Sequence, residues 1–150
     1  MNETSGRVKG IAIRTGDRAP IREFTEARAV TGKGLIGDDR AGGKRGITLL
    51  DARRWADTMT EMGKDLPWHT RRANVLVEGL DLGPALIGKR LQIGEIEVQL
   101  WDETRPCGEM DEICPGLKDA LKPDTRGGLH GEILNDGQIQ IGDEVSLLDE

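Results

Sequence analysis

The sequence predicts a mostly β, barrel-like single domain with two or more short helices. Three observations carry this expectation. Apolar residues recur in short alternating runs, the pattern of strands with one buried face. Glycine makes up 21 of 150 residues, about twice the usual ~7%, and the glycines fall between those runs rather than in repeats. The core must be aliphatic, because Phe24, Trp55, Trp68 and Trp101 are the whole aromatic complement. A chain of this length builds one domain with a real core. No composition shift, linker or repeat divides residues 1–150.

The elements follow in order. "RVKGIAI" (7–13) alternates around Val8, Ile11 and Ile13 as a first strand, and "IREFTEARAV" (21–30) is a second, weaker one. In "GITLLDARRWADTMTEMG" the period changes midway. Ile47, Leu49 and Leu50 form a short buried strand, after which Asp51 caps a helix. Its apolar face is Ala52, Trp55, Ala56, Met59 and Met62, and Gly63 ends it. "ANVLVEG" (73–79) is an apolar strand, and "KRLQIGEIEVQLW" (89–101) reads as two strands around Ile93-Gly94-Glu95. "CPGLKDALKP" (114–123) is a short helix with Pro115 in its first turn and Pro123 as its stop. Residues 128–148 close the chain as strand, Asn-Asp-Gly turn, strand and a last extended stretch.

The totals restrict function. A formal charge of −6 opposes binding to nucleic acid or anionic membranes, while a local basic site for a small anion is compatible with it. No apolar run approaches the ~20 residues of a membrane span. The start "MNETSGRVKG" has no apolar signal core, and with only two cysteines the expectation is a cytoplasmic protein without a structural disulfide.

The richest glycine stretch is "VTGKGLIGDDRAGGKRG" (30–46). Gly37 and Gly42 have the spacing of a phosphate loop, but Gly43 stands where that loop needs lysine and no Ser or Thr follows. It reads as a surface connection, or as a cover bringing Arg40, Lys44 and Arg45 to an anion. Arg71 and Arg72 precede a buried strand as rim charges that matter only if this rim meets Arg40 and Lys44. His69, His130, Cys107 and Cys114 lack zinc-site spacing.

Both thiols lie in "ETRPCGEMDEICPG" (103–116). Pro106 holds Arg105 extended, Gly108 permits a sharp turn and "EMDE" starts a helical turn, which puts Cys107 at a strand-to-helix junction beside a guanidinium. Such a junction favours a thiolate, whereas carboxylates such as Glu103, Glu109, Asp111 and Glu112 oppose one. Cys114 reads as a buried structural thiol.

Several segments, in order, resemble the MOSC family, named for the C-terminal domain of molybdenum cofactor sulfurase. They are "GRVKGIAIR" followed by "RAPI", then "GKGLIGDDRAGGKRGITLLD" and "RRANVLVEGLDLGPALIGKRLQIGEIEV", and finally "RPCGEMDEICPGL" and "RGGLHGEILNDGQIQIGDEV". The resemblance implies a strongly bent β-barrel and a reactive cysteine at the Pro-Cys element, which is Pro106-Cys107 here. It implies molybdenum cofactor (molybdopterin) binding, with Cys107 as metal ligand in cofactor-dependent reduction or sulfur chemistry, or sulfur carriage, with Cys107 as persulfide carrier. A third reading is an inert barrel used only for protein contacts, with Cys107 unreactive. Gly37, Asp38, Arg72 and Asn74 correspond to pocket lining. Arg40, Lys44, Arg45, Arg71, Arg72, Arg105 and Arg126 are the expected partners of the cofactor's phosphate and pterin. Unlike fused members, the chain is expected to be a lone domain. It would depend on a separate desulfurase as sulfur donor or on an electron-donor protein.

Overall fold

The computed structural model describes residues 5–15, 21–39 and 42–148. Among the described residues ten strands form, in chain order β1 (Ser5–Arg14), β2 (Ile21–Phe24), β3 (Glu26–Ala29), β4 (Ile47–Asp51), β5 (Val75–Glu78), β6 (Arg90–Ile93), β7 (Ile96–Glu103), β8 (Leu129–Ile133), β9 (Gly137–Gln140) and β10 (Glu144–Leu147). The α-helices among the described residues are α1 (Ala52–Met62), α2 (Gly108–Ile113) and α3 (Leu117–Leu121).

The main sheet runs β10-β6-β7-β8-β4-β5-β1-β2, and a further β10–β1 pairing closes all of it except β2 into a seven-stranded barrel. Closure depends on β1 changing neighbours along one edge. Ser5 to Arg7 pair with β10, whereas Ile11 to Arg14 pair with β2. A register shift against β5 between Val8 and Gly10 bends the strand there. Gly10 leaves room there for the Trp68 indole, which a Cβ would meet at 2.8 Å and displace.

β4 and β5 are parallel, so a crossover must link them, and α1 supplies it. Asp51 caps this helix through the Arg53 and Arg54 amides, and Gly63 ends it at φ 65°, in the left-handed region. Ile11, Leu49, Val75, Leu91, Ile93, Ile96, Val98 and Leu100 are fully enclosed in the barrel interior. A second cluster outside the barrel packs Trp55 and Met59 of α1 against Leu50, Leu76, Met110, Cys114, Leu117 and Leu121.

The structure adjusts several expectations. The stretch 21–30 forms two strands, because β2 pairs with β1 while β3 pairs with β9. β8 and β9, on either side of the Asn-Asp-Gly turn, do not pair with each other. The Asn135 side chain instead accepts the Glu97 amide at 2.8 Å, and Asp136 accepts the Thr31 amide at 2.8 Å, which sends β9 to β3. α3 starts at Leu117, after Gly116 at φ 91°, so Pro115 lies outside it and Cys114 ends α2. Pro123 opens a 3-10 turn rather than a stop. Ala56 is exposed. No helix of the described residues is long and apolar enough to cross a membrane.

Candidate functional site

The loop Arg105-Pro106 joins β7 to α2 and delivers Cys107 as the residue before the helix. Cys107 is extended, at φ −123° and ψ 179°, and its carbonyl accepts the Met110 amide at 3.0 Å. Its thiol is exposed, whereas that of Cys114 is buried.

Arg71 fixes this loop from beneath. Its guanidinium donates to the carbonyls of Thr104 at 2.9 Å and Gly127 at 3.1 Å, and lies 3.9 Å from Met110 Sδ. Upstream, the Thr104 amide donates to the Gly128 carbonyl at 2.7 Å, and Thr104 Oγ1 lies 3.2 Å from His130 Nδ1. The chain segments before and after Cys107 are therefore tied to one buried cation.

A second buried network forms the adjoining wall. Arg14, at the end of β1, grips Asp38 through its amide at 2.8 Å, Nη2 at 2.8 Å and Nε at 3.2 Å. Arg14 also donates to the Arg72 carbonyl and to Asn74 Oδ1, both at 3.1 Å. Asn74 stitches three strands: Oδ1 accepts the Thr48 amide at 3.0 Å, and Nδ2 donates to the Ala12 carbonyl at 3.1 Å. Burial raises the Asp38 carboxyl's affinity for a proton. Hydrogen bonds and charge from Arg14, with a smaller contribution from Asn74, more than reverse this and hold its pKa below the ordinary carboxylate value.

Cys107 opens onto a cleft of about 340 Å³. Arg14, Arg45, Arg71, Arg72 and Arg105 line it, and Glu109 is the sole carboxylate among the lining residues. Thr48, Thr104 and Met110 complete much of the wall. Arg72 reaches the cleft from a left-handed backbone conformation, φ 66°, that ends the short 3-10 helix Trp68–Arg71. Its Nε lies 3.8 Å from Glu109 Oε2. Arg45 enters at the end of the 3-10 turn Gly43–Arg45.

The sequence candidates thus separate. Cys107, Arg45, Arg71, Arg72 and Arg105 meet at the cleft. Arg105 is exposed there and lies 3.4 Å from Asp102. Asp38 and Asn74 support the wall through Arg14. Gly37, at φ 93°, lines a different, largely apolar hollow with Ile13, Phe24 and Ile36. Lys44 sits over the Trp101 ring, 4.5 Å from its centre. Arg126 pairs with Glu61 and donates to the Ala120 carbonyl at 3.1 Å, joining α1 to α3 outside the cleft lining. Arg40 lies outside the described residues. Among the described residues, no group of three His, Cys, Asp or Glu side chains is placed to hold a metal ion.

The family model of the MOSC domain matches residues 36–146 of this chain. The chain belongs to the MOSC family. Solved structures agree on the fold. The YuaD protein from Bacillus subtilis superposes with a TM-score of 0.81 at 18% identity, over 95% of each chain. YiiM from Escherichia coli gives 0.74 at 15% identity, covering 96% of this chain and 70% of that one. YiiM from Geobacillus stearothermophilus gives 0.68 at 15% identity, covering 99% and 75%. No curated protein matches the sequence.

In this MOSC domain the sequence had not singled out Arg14, Thr48, Thr104, Met110 or Gly127 as part of the site. One signal was available for Arg14. It is an arginine directly extending the apolar run Gly10 to Ile13, so a strand enclosed there would enclose it too, and a buried arginine requires partners. Gly127 carries no such mark in the sequence. A Cβ there would fall 2.3 Å from the Thr104 carbonyl oxygen, so only the fold shows why glycine is needed.

Proposed function

We propose that this MOSC protein binds molybdenum cofactor in the Cys107 cleft, with the thiolate contacting the metal and arginines holding the anionic part. The observation that carries this reading is an exposed thiol opening onto a cleft lined by five arginines and one carboxylate.

The donor set fits the group. A thiolate is a soft ligand suited to a metal that already carries sulfur donors. Guanidinium forks match phosphate oxygens bidentately, and Arg45, Arg72 and Arg105 are the residues assigned to that task. A volume of about 340 Å³ falls at the small end of ligand pockets, roughly 300–1,000 Å³. Bound there, the cofactor supplies a centre for oxygen-atom removal or sulfur chemistry, with electrons or sulfur coming from partner proteins.

The chain's own residues do the rest. Arg71 holds the Cys107 loop through the Thr104 and Gly127 carbonyls, which keeps the thiol at one position on the rim. Arg14, Asp38 and Asn74 keep the β1, β4 and β5 ends together behind Arg72. Lys44, held on Trp101, anchors the turn that carries Arg45.

A second reading is favoured by the isolation of Cys107 from Cys114. They stand at the two ends of α2, seven steps of about 1.5 Å apart, or roughly 10 Å. A disulfide needs Cα atoms within about 7 Å. Such a thiol suits a persulfide carrier: the Cys107 thiolate attacks the terminal sulfur of a donor persulfide, a new S–S bond forms, and the donor leaves as thiolate.

Molybdenum content and intact mass, measured on protein from cofactor-producing cells beside Cys107→Ala, test the two together. Stoichiometric metal lost in the variant supports cofactor binding. An added sulfur removed by reductant, without metal, supports the carrier. Neither signal refutes both.

A further inference from the structure

Among the described residues Glu109 is the only acid lining the cleft, and its position sets it apart from the arginines around it. It lies in the first turn of α2, the helix that Cys107 opens. Its carboxylate faces the Arg72 guanidinium, Oε2 to Nε at 3.8 Å. That is too long for a hydrogen bond and close enough for an ion pair. Both side chains are largely enclosed, 15% exposed for Arg72 and 25% for Glu109, so solvent ions screen the attraction less than on an open surface.

Arg72 is also held in a conformation that ordinarily favours glycine, φ 66°. A glycine at this helix end would relieve the backbone but would remove the guanidinium from the cleft. The Arg14 Nη1 bond to the Arg72 carbonyl at 3.1 Å stabilises the turn from the other side. A strained backbone that delivers a cation to a cleft indicates that the cation is used there.

From these observations we infer that Glu109 is a built-in competitor for the anionic ligand of this cleft. In the ligand-free chain it occupies one side of the Arg72 fork. A phosphate-like anion takes that side, and the carboxylate turns outward to solvent. The device sets a graded threshold: an anion held by the arginines alone binds against the competing carboxylate and so more weakly, whereas a ligand anchored a second time, at Cys107, displaces Glu109 fully. This rests on the reading of the cleft as an anion site, and it adds that occupancy is gated by a residue of the protein itself.

Titration of the wild type, Glu109→Gln, Glu109→Asp and Arg72→Gln with inorganic phosphate, followed by calorimetry, tests the inference. Glu109→Gln should bind about two- to fivefold more tightly, the effect of removing one moderately screened competing charge. Glu109→Asp, which keeps the charge but is one methylene shorter, should fall between it and the wild type. Arg72→Gln should bind more weakly than the wild type. If Arg72→Gln weakens binding and Glu109→Gln does not tighten it, the competitor is refuted and the anion site stands. If phosphate binds no form, or binds all four equally, the anion site fails and the competitor fails with it.

Discussion

Arg54 and Arg72 stand at opposite ends of the same parallel strand pair, one following β4 and the other preceding β5. Arg54 is enclosed by carboxylates: Asp51 and Asp81 each at 2.6 Å and Asp124 at 3.2 Å, with the Asp124 carbonyl on Nε at 2.6 Å. Burial lowers the stability of its charged form, and the bonds to Asp81 and Asp51 more than restore it. At the other end five arginines share a cleft with one lining carboxylate. Asp38 and Asp39 stand beside Arg14, Asp102 beside Arg105 and Glu109 beside Arg72, while Arg71 donates to the Thr104 and Gly127 carbonyls. The first cluster is saturated and holds the scaffold together. The second sets fewer carboxylates against each guanidinium group among the described contacts, which supports the anion site proposed above. The ratio of carboxylates to guanidinium groups, rather than the number of arginines, separates framework from site.

That contrast predicts a graded series. The largest change in stability is expected at the saturated end. Arg54→Ala strands the buried Asp51 carboxylate and should cost about 3–5 kcal/mol in urea unfolding, with cleft chemistry changing only as far as the fold is lost. Next is Asp38→Asn, which removes the charged partner of a buried arginine and should cost about 2 kcal/mol. Because the folded-state pKa of Asp38 is depressed, its contribution is fully present above the unfolded value of 3.8. It is lost as pH falls through the lower folded value. Wild type should therefore lose stability on acidification below about pH 4, and Asp38→Asn should show a shallower decline over that window.

At the cleft end the pattern inverts. Arg72→Gln and Arg45→Gln should shift unfolding by about 0.5 kcal/mol or less while reducing the molybdenum that co-purifies. A loss of stability comparable to that of Arg54→Ala would make the cleft arginines framework as well. The smallest effect is a null one. Mild oxidation should give no Cys107–Cys114 disulfide while α2 is folded, seen as the absence of a two-dalton mass loss.

The sequence made the local devices legible where one residue governs one turn. The Asp51 cap, the Gly63 stop, the enclosed runs of β4 and β5, and the position of Cys107 before a helix all depend on neighbours within a few residues. Barrel closure was not legible, because it rests on Ser5 to Arg7 meeting Glu144 to Ser146 across the whole chain. The Asn-Asp-Gly turn was legible as a turn, but its strands were sent elsewhere by Asn135 and Asp136 bonding to distant amides. The site divided in the same way. Motif order named Cys107, Arg45, Arg71, Arg72 and Arg105, which the fold brings to one cleft. It also named Lys44 and Arg126, whose positions depend on Trp101 and Glu61, partners 57 and 65 residues away. Side-chain charge is visible in a sequence, whereas the partner that uses it is visible only after folding.

A ligand held by this cleft should cover Cys107. The rate of iodoacetamide labelling at Cys107 tests it most directly, read by intact mass on protein from cofactor-replete and cofactor-deficient cells, with Cys107→Ala as the blank. Slow labelling of the replete protein and fast labelling of the deficient protein is the predicted result. Equal rates in the two preparations would contradict it.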